Sequence, residues 1–327
     1  MRRRILGLLG SLAIVSGAGA ATASADGLPV LGVDVGSKGV TVPGAAARYV
    51  TLWSGPKTTV VARVRRDGGR VDRSRLLAGT FTVPAVAYDS SASGLSADGK
   101  VLVLIQPRVS FPRARTSFPV LEARNLRVVK VLRLQGDFSF DAISPRGNRI
   151  YLIQYLSAND PTKYAVRALD VGAGRLLPEP VVDPHEPDEQ MRGQPLSRAM
   201  SPDGRWAYTL YDGNGKTPFV HELDTSRATA RCIDLEALGG AENLWRLRLS
   251  IRGGGKQLAV RDGNQTELVV STTTFAVSSP TAPVAASQES SLTWPWAAGA
   301  GALALALAAA LVVAAQRKNV SLSETQH

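Results

Sequence analysis

The stretch AMSPDGRWAYTLYDG, residues 199–213, holds a tight turn and then a strand. Pro202 fixes φ at the value needed early in a turn, and Gly204 accepts a positive φ without steric cost. The six residues from 206 to 211 are rich in aromatic side chains, which favours a strand. A second turn follows, and PFVHELD at 218–224 has the composition of another strand. The unit therefore predicts antiparallel strands joined by tight turns.

This pattern recurs along the chain. GLSADGKVLVLIQPR begins at residue 94, AISPRGNRIYLIQYL at 142 and RLSIRGGGKQLAVRDG at 248. The aligned serines are 48, 57 and 49 residues apart: Ser96, Ser144, Ser201 and Ser250. A more divergent copy occupies residues 48–79. A period of about 40 to 50 residues with four short strands in each predicts propeller blades. The alternative is a β-sandwich in which the turns are alike by chance.

The Ser-x-Asp/Arg-Gly turn followed by a strand resembles the TolB-type and YVTN-type repeats of bacterial envelope proteins, over residues 48–275. It lacks the Gly-His and Trp-Asp dipeptides of WD-repeat proteins. The resemblance implies an all-β propeller and, by analogy only, recognition of protein or glycan partners. Residues 26–278 provide five blades of about 50 residues, or six if a short blade lies within 176–195. Because the last repeat is one strand short, we expect Val30–Val42 to complete it.

The ends of the chain predict export and attachment to a membrane. Residues 1–25 resemble a signal peptide, with three arginines, an apolar core and an Ala-Ser-Ala cleavage pattern. An uncleaved anchor is the alternative. Residues 279–296 form a Ser/Pro/Ala-rich stalk, and the 19 residues of 297–315 contain no charge. As a helix they would span about 30 Å, enough to cross a bilayer.

The flanks of this segment set its predicted orientation. Trp294 and Trp296 precede it as interfacial aromatics, and Arg317 and Lys318 follow it as the positive inner flank. We therefore expect the propeller domain outside the bacterial cytoplasmic membrane and residues 316–327 in the cytoplasm.

The positive charge of the chain does not by itself predict nucleic-acid binding. The formal net charge is +11, but no known nucleic-acid module or interleaving of aromatic residues accompanies it. Six arginines flank the DGG turn at 67–69 and predict a basic face for anionic lipid or polysaccharide, unless they reflect genomic composition: Arg63, Arg65, Arg66, Arg70, Arg73 and Arg75. The single cysteine, Cys232, allows no internal disulfide, and its neighbours favour an inert thiol at a buried strand position.

The sequence contains no recognised catalytic motif. It has no HExxH, no GxSxG elbow and no GxGxxG that follows a strand, so we expect neither a catalytic residue nor a cofactor. DPHEPDE at 183–189 offers oxygen ligands for calcium, but its two prolines and irregular spacing favour a solvated loop. His221 alternates with Phe219 and Leu223, which favours a buried, hydrogen-bonded histidine over a ligand or a base.

Candidate binding residues come from the innermost strand of each blade. The positions three residues before the aligned serines hold Ser93, Asp141, Arg198 and Leu247. We expect Asp141 and Arg198 to face the central channel and to pair, because unpaired charge there would be costly. The pair either stabilises the channel alone or joins Arg167 in a polar pocket at its mouth.

Six residues are therefore candidates for binding: Asp141, Arg167, Arg198, His221, Arg246 and Arg248. The expected function is that of a membrane-anchored, extracytoplasmic binding or scaffold module for a protein or glycan. The alternative is a lactonase-like or other hydrolase with a site at the channel mouth.

Overall fold

The computed structural model describes residues 33–187 and 191–280, which form five antiparallel sheets. Sheet 1 contains β1 (Ala47–Trp53), β2 (Thr58–Arg65) and β3 (Val71–Ala78). Sheet 2 contains β4 (Val101–Val103), β5 (Arg115–Glu122) and β6 (Arg127–Gln135). Sheet 3 contains β7 (Phe138–Ile143), β8 (Arg149–Tyr155), β9 (Tyr164–Asp170) and β10 (Arg175–Val181). Sheet 4 contains β11 (Pro195–Met200), β12 (Trp206–Tyr211), β13 (Phe219–Asp224) and β14 (Thr229–Asp234). Sheet 5 contains β15 (Leu247–Arg252), β16 (Gln257–Asp262), β17 (Gln265–Ser271) and β18 (Val277–Ser278).

In every sheet, strands that follow each other in sequence pair with each other. Sheets 1 and 2 each gain an irregular inner strand, since Val40 bridges Tyr49 and Leu95 bridges Leu102. Each sheet is thus a four-stranded meander, as in a propeller blade. The five sheets agree with the five predicted blades. Within its described residues, the interval 176–195 holds part of β10 and a loop rather than a sixth blade.

The prediction for the last blade is wrong. Its fourth strand is β18, at Val277–Ser278, which pairs with β17. The segment before β1 belongs to sheet 1 instead, because the Thr51 amide donates to the Gly36 carbonyl at 2.9 Å and Val40 exchanges backbone hydrogen bonds with Tyr49. Residues 30–32 lie outside the described range.

The predicted turn forms in three of its four copies. The Ser201 hydroxyl accepts from the Trp206 amide at 2.8 Å and donates to the Asp203 carboxylate at 2.5 Å. The Ser96 and Ser144 hydroxyls likewise accept from the amides of the first residues of β4 and β8. Ser96 donates to the Asp98 carboxylate, and Ser144 donates to the Asn148 side chain. Ser250 lies within β15, and its turn is a glycine-rich 3₁₀ segment at 253–255.

Buried apolar side chains fill the spaces between consecutive sheets. Four large clusters join sheet 1 to sheet 2, sheet 2 to sheet 3, sheet 3 to sheet 4 and sheet 4 to sheet 5. The outer face of sheet 1 contributes only a small cluster of Val50, Ala62 and Val64. Among the described residues, no apolar cluster combines side chains of sheets 1 and 5.

The only helical segments of the described residues are short 3₁₀ turns: Gly213–Gly215, Glu236–Leu238, Leu244–Arg246 and Gly253–Gly255. None of them is long and apolar enough to cross a bilayer. The predicted signal peptide (1–25), transmembrane helix (297–315) and tail (316–327) lie outside the described residues, as does the stalk beyond residue 280.

Candidate functional site

An ion pair joins the inner strands of sheets 3 and 4. Arg198 of β11 donates through Nη2 to the Asp141 carboxylate and through Nη1 to the Asp141 carbonyl at 3.1 Å. The two side chains are 5 % and 4 % exposed. The predicted pairing is therefore confirmed. Burial makes each partner necessary, because a lone charge at this position would have lost its hydration without compensation.

A third residue, which the sequence did not indicate, supports the pair. Asp89 accepts from the Ser197 hydroxyl at 2.7 Å and from the Arg198 amide at 3.0 Å. It lies at the tip of a hairpin, residues 85–92, whose backbone also bonds to Pro195 and Leu196. This hairpin crosses from sheet 2 to the inner strand of sheet 4, so Arg198 is held by two acidic residues from different sheets.

A cavity of about 150 Å³ lies beside Arg198. Most of its walls are apolar, and they come from the segment before β1, the inner strand of sheet 2 and the turn after β11: Val40, Val42, Leu95, Ala97, Met200 and Pro202. Ser93, Arg198 and Ser201 supply the polar part, with Thr41 at the exposed edge. A polar pocket was one of the two alternatives for the Asp141–Arg198 pair, but the cavity beside Arg198 is mainly apolar because the hairpin and the first segment bring aliphatic side chains to it.

Three predicted site residues lie elsewhere. Arg167 is on β9, the third strand of sheet 3, and bonds to Gln154 and to the carbonyls of Leu177 and Pro178. Arg246 pairs with Asp262 at the surface. Arg248 is exposed and donates to nearby carbonyls of its own segment. None of these three arginines lines the cavity beside Arg198, because sequence alignment of blades does not fix the direction of a long side chain, and their role in binding stays a prediction.

His221 lies on β13, also a third strand, and is 2 % exposed. Burial lowers its pKa to about 4, against a smaller opposing effect of Asp141. The ring contacts Tyr211 edge-on at 6.4 Å between centroids. The predicted burial is confirmed, and His221 does not line the cavity beside Arg198.

The loop after β10 is anchored rather than fully solvated. Asp183 is buried and accepts from the amides of His185, at 2.9 Å, and Cys232, at 3.0 Å. Burial acts to raise the pKa of Asp183, but these hydrogen bonds and Arg231 together lower it. The Asp183 carboxylate thus satisfies a backbone amide of the edge strand β14. Cys232 on that strand is half-buried rather than fully buried. Residues 188 and 189 of this acidic stretch lie outside the described range.

No group of three or more acidic, histidine or cysteine side chains in residues 33–187 and 191–280 is placed to hold a metal ion. The acidic stretch therefore supplies no such group from its described residues.

A second buried charge cluster was also missed. Asp137 pairs with Arg108 at 2.6 Å and with Arg113 at 3.1 Å, and the Arg108 and Asp137 side chains are each 2 % exposed. The Arg108 guanidinium lies 4.5 Å from the Tyr155 ring centroid, and burial raises the pKa of Tyr155. Nothing in the local sequence indicates this cluster, since Asp137 lies 29 residues from Arg108 and 24 residues from Arg113.

No protein-family model and no curated protein matches the chain. Solved structures with low similarity include Kuenenia stuttgartiensis hydrazine synthase (16% identity, TM-score 0.43, 71% of this chain and 70% of that one). They also include the Dos1 propeller (9%, TM-score 0.43, 75% and 58%) and apo AztD from Citrobacter koseri (13%, TM-score 0.37, 71% and 59%). With TM-scores below 0.5, the propeller-type fold rests on the five meanders themselves.

Proposed function

We propose that this chain is an exported binding module that recognises a partner through the cavity beside Arg198. In this proposal residues 297–315 tether it to the outer face of the bacterial cytoplasmic membrane, and its blades are of the TolB and YVTN type. The uncharged C-terminal segment and the signal-like N-terminus support the location. The cavity beside Arg198 is the observation that supports the proposed binding of a partner.

The walls of the cavity favour a protein over a glycan. An apolar cavity of about this volume accepts a group the size of benzene. An aliphatic or aromatic side chain of a partner fits such walls, whereas a sugar ring would leave its hydroxyl groups without partners. Asp141 and Asp89 hold Arg198 in place before binding, so little ordering is needed when the partner arrives.

A bulky residue at the edge of the cavity tests this proposal. Thr41 lines the cavity but is exposed, so Thr41→Trp fills the space without disturbing the core. Thr273→Trp places the same side chain on an exposed turn of sheet 5 and serves as the control. The full-length variants are expressed in the native envelope, solubilised and used to recover bound proteins.

We expect the wild type and the Thr273→Trp control to recover the same partner and Thr41→Trp to lose it. Circular dichroism of all three checks that the fold is retained. Equal recovery by Thr41→Trp would exclude the cavity as the binding site.

A further inference from the structure

Most of the positive charge of the described domain lies on sheet 1. Residues 33–80 contain nine basic and three acidic residues, a net charge of +6. Residues 81–280 contain 24 basic and 21 acidic residues, a net charge of only +3. A uniform compositional bias toward arginine would spread the charge over all five sheets. The asymmetry therefore marks sheet 1 as a distinct electrostatic surface.

The unneutralised arginines lie at the outer edge of this sheet. Arg63 and Arg65 pair with Asp72 and Asp67. Four others are exposed, and no ion pair of the described residues engages them: Arg66 and Arg70 in the turn before β3, and Arg73 and Arg75 on β3. Because β3 is the outermost strand, these side chains project from the rim of the fold.

Exposed aliphatic side chains alternate with these arginines along β3, so that Arg73 and Arg75 lie on one face of the edge strand and Leu76 lies on the other. Val71 is 54 % exposed and Leu76 is 67 % exposed, both on β3. Leu52, 51 % exposed, shares a face with Leu76 because both pair with Val60 in the register. We define the β3 rim as six exposed residues within the eleven-residue stretch 66–76: Arg66, Arg70, Val71, Arg73, Arg75 and Leu76.

We propose that the β3 rim binds the anionic headgroups of a lipid bilayer. Arginine on an edge strand also prevents strand-to-strand association, but that role does not need exposed Val71 and Leu76 on the same strand. The boundary between headgroups and acyl chains accepts both kinds of side chain, since phosphates attract the guanidinium groups and the aliphatic groups leave water. An anionic polysaccharide would satisfy the arginines alone.

This inference builds on the membrane location in the proposed function. If residues 297–315 tether the chain, the rim meets the bilayer at high effective concentration, so weak contacts suffice. Binding of the rim would hold the outer edge of sheet 1 against the membrane, whereas the cavity beside Arg198 is lined by the inner segments of sheets 1, 2 and 4.

The test follows one exposed position on the rim in the full-length protein. Ser74 is exposed on β3, so Ser74→Cys with Cys232→Ala gives a single thiol whose labelling rate by a maleimide reports access. The protein is placed in nanodiscs of neutral phosphatidylcholine, or of phosphatidylcholine with phosphatidylglycerol. Anionic discs should slow labelling about 5-fold or more, as each bound arginine contributes about that factor, and high salt should restore the rate.

Charge reversal distinguishes binding by the rim from a general attraction between the net charge of the protein and the bilayer. In the same background, Arg73→Glu with Arg75→Glu should abolish the slowing. Arg124→Glu with Arg133→Glu makes the same change in net charge at exposed positions of sheet 2 and should retain it. Equal rates in both discs, or slowing that persists in the rim variant, would overturn the proposal. So would protection by a soluble anionic polysaccharide without protection by anionic discs.

Membrane insertion of residues 297–315 is measured separately in the same samples. Co-elution of the chain with neutral discs at high salt reports insertion of the C-terminal segment and does not depend on the rim. A chain that fails to co-elute but binds anionic vesicles through Arg73 and Arg75 would retain the rim and refute the tether. A chain that inserts, but whose thiol at position 74 is not protected by anionic discs, would retain the tether and refute binding by the rim.

Discussion

Gly204 of sheet 4 lies against Ala97 of sheet 2. A Cβ atom added to Gly204 would be 2.6 Å from the Ala97 Cβ atom. Both residues belong to copies of the same Ser-containing turn, and the Asp98 amide donates to the Pro145 carbonyl of the third copy at 3.1 Å. The repeated turns of sheets 2, 3 and 4 therefore meet at one end of the fold, and the turns of sheets 2 and 4 also contribute to the wall of the cavity.

The close approach predicts that Gly204→Ala is more harmful than a glycine-to-alanine change at an open turn. Gly204 has φ +72, which costs an L-residue about 1–2 kcal/mol, and the contact with Ala97 adds about 1–3 kcal/mol of overpacking. Gly215 has φ +79 with nothing within 4 Å, so Gly215→Ala bears the backbone cost alone. Urea unfolding of both variants measures the difference, and equal losses would contradict the packing of the turns.

Substitution of the aligned serines Ser201 and Ser250 by alanine should have different effects on the free energy of unfolding. Ser201→Ala removes two hydrogen bonds and should lower the free energy of unfolding by about 1 kcal/mol. The Ser250 hydroxyl is buried without a partner, so Ser250→Ala removes an unsatisfied polar group and should leave stability unchanged or higher. Thermal unfolding of the two variants tests this, and a larger loss for Ser250→Ala would be inconsistent with the assigned turn.

The buried pair predicts a large loss when one charge is removed. Asp141→Asn leaves Arg198 charged with only a neutral partner and should lower the free energy of unfolding by about 3–5 kcal/mol. Asp67→Asn removes the exposed partner of Arg65 and should change it little. Denaturant unfolding compares the two, and similar small effects would show that the inner pair is not buried in solution.

Glu222 predicts a loss of stability toward neutral pH. It is 1 % exposed between sheets 4 and 5, its Oε2 atom has no partner, and burial raises its pKa to about 7, with Asp224 adding to the rise and Arg231 opposing it. The folded state therefore keeps its proton where the unfolded state, with pKa near 4.5, has lost it. The contribution of Glu222 to stability therefore falls from about pH 4.5 to 7, by up to about 3 kcal/mol. Glu222→Gln should remove this contribution, so urea titrations at successive pH values should show a difference between wild type and variant that changes over this window.

His221 has the opposite pH dependence. Its pKa is lowered to about 4, so the unfolded state binds a proton that the folded state does not between pH 4 and 6.5. This contribution makes stability rise with pH in the window where Glu222 makes it fall, and the two offset each other in the wild type. Glu222→Gln should therefore expose a rise, and His221→Gln should expose a fall. A flat profile in both variants would refute the burial of these two titratable side chains.

The sequence predicted the repeated strands because they follow from local chemistry. Pro202, Asp203 and Gly204 specify a turn wherever they occur, and the alternation of apolar residues around it specifies strands. The pair of Asp141 and Arg198 could also be predicted, because equivalent positions on neighbouring blades are adjacent. The contacts of Arg167 and Arg248 could not be predicted, because a long side chain bonds to whichever carbonyl or carboxylate lies within its reach.

What the sequence determined by itself is thus the repeat: its turns, its strands and the five sheets they form. Tertiary structure decided the site. Asp89 reaches Arg198 across more than a hundred residues, the hairpin at 85–92 carries it there, and the aliphatic walls of the cavity come from three separate segments. The physical reason is that turns depend on neighbouring residues, whereas burial and pairing of charge depend on groups that only the folded chain brings together.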